Sequence, residues 1–393
     1  MSDLEIENEV IVGKGRELFL ASKTRRTLDY LQGNLVPAPA NSKAFRQNIE
    51  SRRAFCKEIG ARYVHLVAPD KHHVYEQAFP GEIKFSFADH IHRESGISFV
   101  YPRNYLQGLL PRRTYKRTDT HWSQFGRIAI VTLLARHFLL PEHRIVAGAK
   151  DLLACLGPNT TRITGDLGNK LNPQDFEDFE TFRPSWKFTR EFNQMVPGND
   201  GVLEILLSSN PNAEGRLVIF GDSYLRDCLD LLSVFFREIL FCRTRFLHKE
   251  MIQAASADYV LTENVERYFE FVAADSEAPP CLMVPFLLGR EARYSPDLAM
   301  LVTYMTTSGN TRLLKSVQDR FSYEPKPVQE SDREVRNQLQ HAQLAHLDLA
   351  DAFSQLDREQ DKQGLLASLR TRGGLSSDIS ARLDKLDRVM VAG

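Results

Sequence analysis

The sequence predicts an α/β fold with a doubly wound, largely parallel sheet and an α-helical C-terminal extension. Up to about Gly289, short apolar runs of strand length alternate with longer stretches of helical periodicity. Beyond that point the strand-like runs end and helical patterns follow one another. The composition, with 42% apolar and 26% charged residues, is that of an ordinary globular protein, so a packed core has to stabilise the fold.

The first predicted element is a β-hairpin over residues 10–20. Two apolar runs flank Gly13-Lys14-Gly15, and glycine supplies the positive φ that a tight turn needs. A phosphate-binding loop is disfavoured, because that motif requires Ser or Thr and then a helix after the lysine, whereas a strand-like run follows here.

The following elements alternate along the chain. A charged helical pattern at residues 42–60 precedes the apolar run YVHLVA at residues 63–68, which ends at Pro69-Asp70 and predicts a buried strand. Further strands are predicted at residues 202–207, 216–220, 238–242 and 257–261, with helices at 125–140, 224–236 and 247–255. Strands that alternate with helices predict a largely parallel sheet covered by helices on both faces.

We expect two domains. Residues 1–290 hold the α/β unit with its N-terminal hairpin, and residues 291–393 form a helical region. Within that region, helical patterns at 297–321 precede a predicted linker near residues 322–331, marked by Pro325-Lys326-Pro327. Residues 332–391 carry apolar positions at helical spacing, which is typical of packing or of a surface for a protein partner: Leu339, Ala342, Ala345, Leu349, Phe353 and Leu356.

Charge and hydropathy exclude several classes of partner. Fifty basic and fifty-one acidic residues give a formal charge of −1, so no net field attracts the chain to nucleic acid. The longest apolar stretches, such as residues 128–135, are too short for a membrane helix, which needs about 18 apolar residues or more. The N-terminal MSDLEIENEV lacks the basic and apolar regions of a secretory signal, so the cytoplasm is the predicted compartment.

Cysteine and histidine positions predict neither disulfides, nor a metal site, nor a bound cofactor. The cysteines are odd in number and far apart, as expected for free, buried thiols: Cys56, Cys155, Cys228, Cys242 and Cys281. Two histidine clusters offer ligand-type side chains: Asp70, His72, His73 and Glu76, and then Asp89, His90 and His92. Adjacent histidines point apart and no further cluster has ligand spacing, so Lys71 and Tyr75 in the first cluster fit better as structural or cleft-lining residues.

The sharpest local signal is Gly221-Asp222-Ser223, directly after one predicted strand and directly before a predicted helix. A serine there lies at the carboxyl edge of the sheet, where open α/β folds bind ligands, beside the N–H groups of a helix N-terminus. That placement suits a nucleophile next to an oxyanion hole. The alternative role of Ser223 is a helix N-cap.

A serine nucleophile needs a base, and the best candidate lies in Asp119-Thr120-His121-Trp122. An aspartate two residues before a histidine on an irregular turn can accept a hydrogen bond from one imidazole nitrogen while the other nitrogen faces the serine. The alternative for His121 is a partly buried polar residue near Trp122.

These two blocks belong to a longer series of motifs over about residues 10–271. The order is VIVGKGRELFL, LVAPDKHHVYEQAFP, YKRTDTHWSQFG, TGDLGNKL, LVIFGDSYLRDCLDLL and ADYVLTENVERYF. The series resembles the SGNH-hydrolase-like domain of the alginate O-acetyltransferase family, which includes the AlgX and AlgJ proteins. The resemblance implies a catalytic triad of Ser223, His121 and Asp119 and the transfer of acetyl groups to sugar hydroxyls of an exopolysaccharide.

Residues around the two blocks are candidates for substrate or oxyanion contacts. The loop at residues 164–169 is the oxyanion candidate, through the glycine N–H groups or Asn169. The other candidates are Gly165, Asp166, Asp222, Tyr224, Tyr115, Arg117 and Trp122. Arg117 belongs to a basic stretch with Arg112, Arg113 and Lys116 that could contact phosphate or an acidic sugar but is better explained as a solvated loop.

The sequence therefore predicts a serine-dependent O-acetyltransferase that acts through an acyl-serine on a sugar hydroxyl of a polysaccharide or its precursor. The predicted compartment implies acetyl-CoA or another soluble acetyl donor as co-substrate. Two alternatives stay open. With water as acceptor the same triad gives a carbohydrate esterase, and a silent carbohydrate-binding or assembly module would use the helical tail to recruit partners.

Overall fold

The computed structural model of the protein describes residues 5–195, 199–307 and 311–328. In chain order its strands are β1 (Ile6–Glu7), β2 (Val10–Val12), β3 (Leu18–Leu20), β4 (Arg62–Ala68), β5 (Leu156–Ile163), β6 (Glu177–Phe182), β7 (Phe188–Phe192), β8 (Leu203–Ser208), β9 (Arg216–Gly221), β10 (Glu238–Arg243) and β11 (Tyr259–Val265). The helices are α1 (Thr27–Leu31), α2 (Pro39–Glu58), α3 (Lys71–Val74), α4 (Phe87–Ser95), α5 (Arg103–Gly108), α6 (Gln124–His137), α7 (Glu142–Ala154), α8 (Gly165–Gly168), α9 (Ser223–Arg226), α10 (Leu229–Leu232), α11 (Lys249–Ala255), α12 (Val284–Leu287), α13 (Pro296–Thr306) and α14 (Thr311–Phe321).

A six-stranded sheet in the order β4-β11-β9-β10-β8-β7 forms the centre of the protein. The pairs β4–β11, β11–β9 and β9–β10 are parallel, whereas β10–β8 and β8–β7 are antiparallel. The sheet is therefore mixed and mostly parallel, which confirms the predicted α/β fold class. Each predicted strand of this sheet is present, and β7 adds an edge strand that the sequence analysis did not predict.

Helices cover both faces of the sheet, as the predicted doubly wound arrangement requires. On one face Ile219 and Ile239 pack in a cluster with residues of α6, α7 and α10. On the other face Val218 and Leu240 pack with residues of α11, α13 and α14. The strands are apolar on both faces because neither face meets solvent.

The described part of the predicted helical region lies on the sheet. Leu298, Leu301 and Met305 of α13 and Val317 of α14 are fully buried in the same cluster as β8, β9 and β10. The helical pattern at residues 297–321 is therefore confirmed as two helices. The domain division at residue 290 and the linker near residues 322–331 stay predictions, and the stripe at residues 332–391 lies outside the described residues.

One predicted helix is wrong. Residues 224–236 form two short helices, α9 and α10, instead of one amphipathic helix. The physical reason is burial on all sides, since Leu225, Cys228, Leu232 and Phe236 have no exposed surface. A continuous helix presents one apolar face, whereas the broken chain packs almost every side chain of this segment into the core.

The N-terminal hairpin is confirmed and contacts a distant loop. Strands β2 and β3 pair antiparallel, and Gly15 in the connecting turn has a φ of +68°. The Leu18 N–H group of β3 donates to the carbonyl oxygen of Arg117 at 3.0 Å. Within the described ranges, none of the helices is both long enough and apolar enough to cross a lipid bilayer.

Candidate active site

Ser223 projects from a tight corner between β9 and α9. Asp222 is the N-cap of α9, because its Oδ1 accepts the Tyr224 N–H group at 2.9 Å. The other oxygen, Oδ2, accepts the Val265 N–H group of β11 at 3.1 Å. The capping role that was the alternative for Ser223 therefore belongs to Asp222, and the partly exposed Ser223 hydroxyl is available for other contacts.

The Ser223 hydroxyl lies against His121, and His121 lies against Asp119. Ser223 Oγ is 2.8 Å from His121 Nε2. The other ring nitrogen, Nδ1, is 2.7 Å from Asp119 Oδ1, which also accepts the His121 backbone N–H group at 2.8 Å. The three side chains that the sequence analysis placed in one triad thus form a continuous hydrogen-bonded chain, in the geometry that activates a serine.

Asp119 and His121 shift the pKa values of each other. Burial alone would raise the pKa of Asp119, but the His121 hydrogen bond and the Lys116 ammonium, 3.6 Å from Oδ2, hold it below its usual range. Burial would lower the pKa of His121, yet the hydrogen bond to Asp119 and the nearby carboxylates raise it. Asp119 therefore stays ionised and stabilises a protonated His121.

A buried lysine holds the loop that carries Asp119 and His121. Lys71 Nζ donates to the carbonyl oxygens of Lys116 and Arg117, both at 2.7 Å, and pairs with Glu17 at 2.9 Å. Burial lowers the pKa of Lys71 to about 8, against the opposing charge of Glu17. The lysine of the PDK motif thus connects the N-terminal hairpin to the DTHW loop.

The glycine loop at residues 164–169 supports the same loop from the other side. The Thr118 carbonyl oxygen accepts the N–H groups of Leu167 and Gly168 at 3.1 and 2.9 Å. The Asp166 N–H group donates to Asp119 Oδ2 at 3.1 Å. Of the predicted glycine donors, the Gly168 N–H group is therefore engaged in holding Thr118.

Gly165 permits this close approach. Its φ is +65°, and a Cβ atom there would lie 2.3 Å from the Thr118 carbonyl oxygen and 2.8 Å from Asp119 Cβ. Only glycine fits such a conformation and contact without displacing the neighbouring loop. Asn169, the other oxyanion candidate, is exposed and its side-chain oxygen accepts a hydrogen bond from Gln174 at 2.6 Å.

Two further candidates contact the DTHW segment itself. Asp166 accepts the N–H and hydroxyl groups of Thr120 at 2.7 and 2.5 Å, and burial together with the charge of Asp119 raises its pKa. Tyr224 donates its hydroxyl to the Thr120 carbonyl at 2.6 Å, and its ring centre lies 4.7 Å from that of His121. Both side chains hold the histidine in place.

The remaining candidates are structural supports rather than cleft-lining groups. Tyr115 is fully buried and donates its hydroxyl to the Pro69 carbonyl at 2.6 Å. Trp122 is 1% exposed and packs edge-on against the Tyr224 ring. The Arg117 guanidinium binds both carboxylate oxygens of Asp175 at 2.8 and 2.9 Å, so the solvated-loop interpretation of its basic stretch is wrong for this residue.

One oxyanion donor remains in place at the nucleophile. The Ser223 N–H group lies at the start of α9, where helix N–H groups have no partner within the helix. Among the hydrogen bonds of the described residues, none uses this group. An N–H group at a helix N-terminus can stabilise negative charge that develops next to it, so this group is the oxyanion donor that the structure leaves free of a described partner.

Ligand-type atoms of Asp119, His121 and Asp166 lie within 4.8 Å of one another. Both ring nitrogens of His121 already contact Asp119 and Ser223, so an ion bound there would displace one of these contacts. The histidine clusters weighed from the sequence have protein partners instead. His72 contacts the Leu20 carbonyl oxygen at 2.9 Å, and His73 lies 3.6 Å from Glu266.

Two acidic residues at the site were missed. Glu17 pairs with Lys71 and with Arg113, and Glu263 accepts the Asp222 N–H group at 2.9 Å. The usable signal for Glu263 was its position as the one charged residue of the strand YVLTENV, which begins with three apolar residues. A charged residue inside a buried strand requires a specific partner.

The fold and the site define an α/β protein with a serine, histidine and aspartate arrangement at the carboxyl edge of its sheet. No family model and no curated protein matches the sequence. The structure is similar, at low identity, to solved structures that include SGNH-like O-acetyltransferases.

Three of these structures show how low the similarity is. A DHHW family protein from Eubacterium siraeum is 15% identical with a TM-score of 0.47, covering 69% of this chain and 95% of that chain. The O-acetyltransferase domain of Pseudomonas putida AlgJ is 15% identical with a TM-score of 0.41, covering 70% and 98%. Bacillus cereus PatB1 is 14% identical with a TM-score of 0.43, covering 60% and 93%.

Proposed function

We propose that the protein is a serine-dependent O-acyltransferase that moves an acetyl group through an acyl-serine onto a sugar hydroxyl of a polysaccharide or its precursor. The observation that carries the proposal is the hydrogen-bonded chain from Asp119 through His121 to Ser223, with contacts of 2.7 and 2.8 Å. A catalytically silent binding module does not require a buried aspartate that raises the pKa of a histidine in contact with a partly exposed serine.

The reaction follows from the positions of these groups. His121 takes the proton of Ser223 as the hydroxyl oxygen attacks the acyl carbonyl, and Asp119 stabilises the imidazolium. The Ser223 N–H group stabilises the oxyanion, and His121 returns the proton to the leaving group. In the second half, the acceptor hydroxyl gives its proton to His121 and its oxygen attacks the acyl carbonyl. The bond from the acyl carbon to Ser223 Oγ then breaks, and His121 donates the proton to Ser223 Oγ, which restores both residues.

The acceptor distinguishes the proposal from its alternative. A sugar hydroxyl gives an O-acetyltransferase, whereas water in the same position gives a carbohydrate esterase. The motif resemblance of DTHW and GDSY to the alginate O-acetyltransferase family favours the sugar. Acetyl-CoA or another soluble acetyl donor is part of the proposal as co-substrate.

The test is the intact mass of the protein after exposure to a simple acetyl ester or to acetyl-CoA. We expect the wild-type protein to gain one acetyl group or to turn over the donor, and Ser223→Ala and His121→Ala to do neither. Ser316→Ala, at an exposed position of α14, is the matched control and should behave as wild type.

The same incubation with candidate sugars separates the two reactions. Acetylated sugar supports the transferase, whereas free acetate without acetylated sugar supports the esterase. If no donor labels or turns over while the protein remains folded, the enzymatic proposal is wrong and sugar binding becomes the function to test.

A further inference from the structure

A buried carboxyl group lies directly behind the corner that presents Ser223. Glu263 of β11 is 4% exposed, and its Oε2 accepts the Asp222 N–H group at 2.9 Å. A Cβ atom on Gly221 would lie 2.8 Å from this oxygen. Because Gly221 has no side chain, the Glu263 carboxyl group has room beside the backbone.

We propose that Glu263 is a positioning residue for acyl transfer. It fixes the backbone at Gly221 and Asp222, and this keeps Ser223 Oγ within hydrogen-bond distance of His121 Nε2. This inference rests on the proposed function. Glu263 does not touch the reacting atoms, and it acts through Asp222.

Asp222 is held to β11 at two points. Its N–H group donates to Glu263, and its side chain accepts the N–H group of Val265, two residues further along the same strand. The same side chain caps α9 at Tyr224. Removal of the Glu263 carboxyl leaves the Asp222 N–H group buried without an acceptor, so the corner moves or admits water.

The charge state of Glu263 suits this task. Burial and the charge of Asp222 raise the pKa of Glu263 well above its ordinary value, with Arg243 of β10 acting in the opposite direction. The neutral acid can lie beside the Asp222 carboxylate without repulsion and still accept the N–H bond. Glutamine has the same shape, carries no charge and keeps an acceptor oxygen, so it imitates the working form.

The experiment compares Glu263→Gln and Glu263→Ala with Glu214→Gln, in acetyl-ester turnover by the full chain. Glu214 is an equally buried glutamate that pairs with Arg144 at 3.0 Å, away from the triad. We expect Glu263→Gln to remain within about threefold of wild type and Glu263→Ala to lose about 100-fold in kcat with little change in KM, since a misplacement near 1 Å can have that effect. Glu214→Gln should lower the unfolding temperature without changing kcat.

The dependence of turnover on pH gives a second test, because a purely structural role of Glu263 would not change it. Wild-type turnover should decline at alkaline pH as Glu263 ionises against Asp222, and Glu263→Gln should lack this decline. Wild-type kcat in Glu263→Ala, or an identical alkaline decline in Glu263→Gln, would overturn the inference.

Hydrogen exchange of the Asp222 amide separates this inference from the proposed function. We expect faster exchange in Glu263→Ala and wild-type protection in Glu263→Gln and Glu214→Gln. If the wild-type protein transfers no acetyl group, the proposed function fails, and exchange alone decides whether Glu263 holds the corner. Unchanged protection in Glu263→Ala would show that it does not.

Discussion

The two halves of the triad are supported in different ways. Ser223 follows a strand in the middle of the sheet, and its corner is fixed by neighbours on the adjacent strand, Glu263 and Val265. His121 lies on an irregular loop whose supports come from α3 and the N-terminal hairpin on one side and α8 on the other. The serine thus depends on sheet register, whereas the histidine depends on side-chain contacts between segments distant in sequence.

This difference shows where the site can fail. A change within the sheet that moves Ser223 also disrupts the core, so activity and stability fall together. A change in the supports of the histidine loop can separate His121 from Ser223 while the sheet remains intact. The following substitutions test whether His121 can move away from Ser223 while the sheet remains folded.

Among changes to the supports of the histidine loop, the largest effect is expected for Lys71→Met. The change removes two hydrogen bonds to the loop and leaves Glu17 with Arg113 as its remaining described partner. Breaking a buried ion pair costs about 3 kcal/mol or more, so we expect a loss of that size in the free energy of unfolding and at least about a tenfold loss in kcat. Denaturant unfolding and ester turnover measure the two quantities.

Lys170→Met is the matched control for this change. Lys170 pairs with Glu9 on the surface at 3.2 Å, with both side chains about one-third exposed. Surface pairs contribute about 1 kcal/mol at most, so stability and turnover should stay near wild type. Equal effects of the two substitutions would contradict the anchoring role of Lys71.

A smaller effect is expected for Gly165→Ala. The new Cβ atom would press on Thr118 and Asp119, and the φ of +65° adds strain. Gly60→Ala is the control, because Gly60 has a φ of +71° but nothing within 4 Å of its Cβ position. We expect both variants to lose about 1 kcal/mol from the backbone conformation and Gly165→Ala to lose further stability and turnover from the clash.

Equal unfolding free energies and equal turnover in the two glycine variants would show that the contact with the histidine loop is unimportant. Calorimetry and the same ester assay give the comparison. A turnover loss confined to Gly165→Ala would show that the loop moves independently of the sheet.

The smallest effect concerns pH. Neutral His121 is the base, and Asp119 raises its pKa, so turnover should increase with pH along a limb centred above 6.5. In Asp119→Asn the raising influence is lost and burial remains, so the His121 pKa should move downward. An NMR titration of His121 in both proteins measures the shift, with Asp29→Asn on the surface as control. An upward shift in Asp119→Asn would contradict the assignment.

The strands of the central sheet and the position of Ser223 could be predicted from the sequence for one physical reason. Strands buried on both faces are continuous apolar runs, and the residue after such a run lies at the edge where ligands bind. The same reasoning could not find β7, β5 and β6, because their side chains are largely solvent-accessible and show no apolar run. Strand direction was also inaccessible, since the antiparallel β8 is as apolar as its parallel neighbours.

The triad itself was predictable from local motifs, but its supports were not. Asp119 and His121 are two residues apart, so a short turn brings them together. The pairing of Glu17 with Lys71 joins segments that are far apart in sequence, and nothing in either segment specifies its partner. Tyr115 and Arg117 are candidates for substrate contacts because they flank DTHW, but the Tyr115 hydroxyl donates to the Pro69 carbonyl oxygen and the Arg117 guanidinium binds the Asp175 carboxylate.

The strand order determines when the site can form during synthesis of the chain. Strand β11 is the last strand of the sheet to leave the ribosome, yet it lies between β4 and β9. A growing chain that stops short of residue 263 can contain Asp119, His121 and Ser223 but lacks the strand that braces the serine corner. We therefore expect the proposed acyl transfer only after β11 has been inserted between β4 and β9, and we expect unfinished chains not to react with acetyl donors.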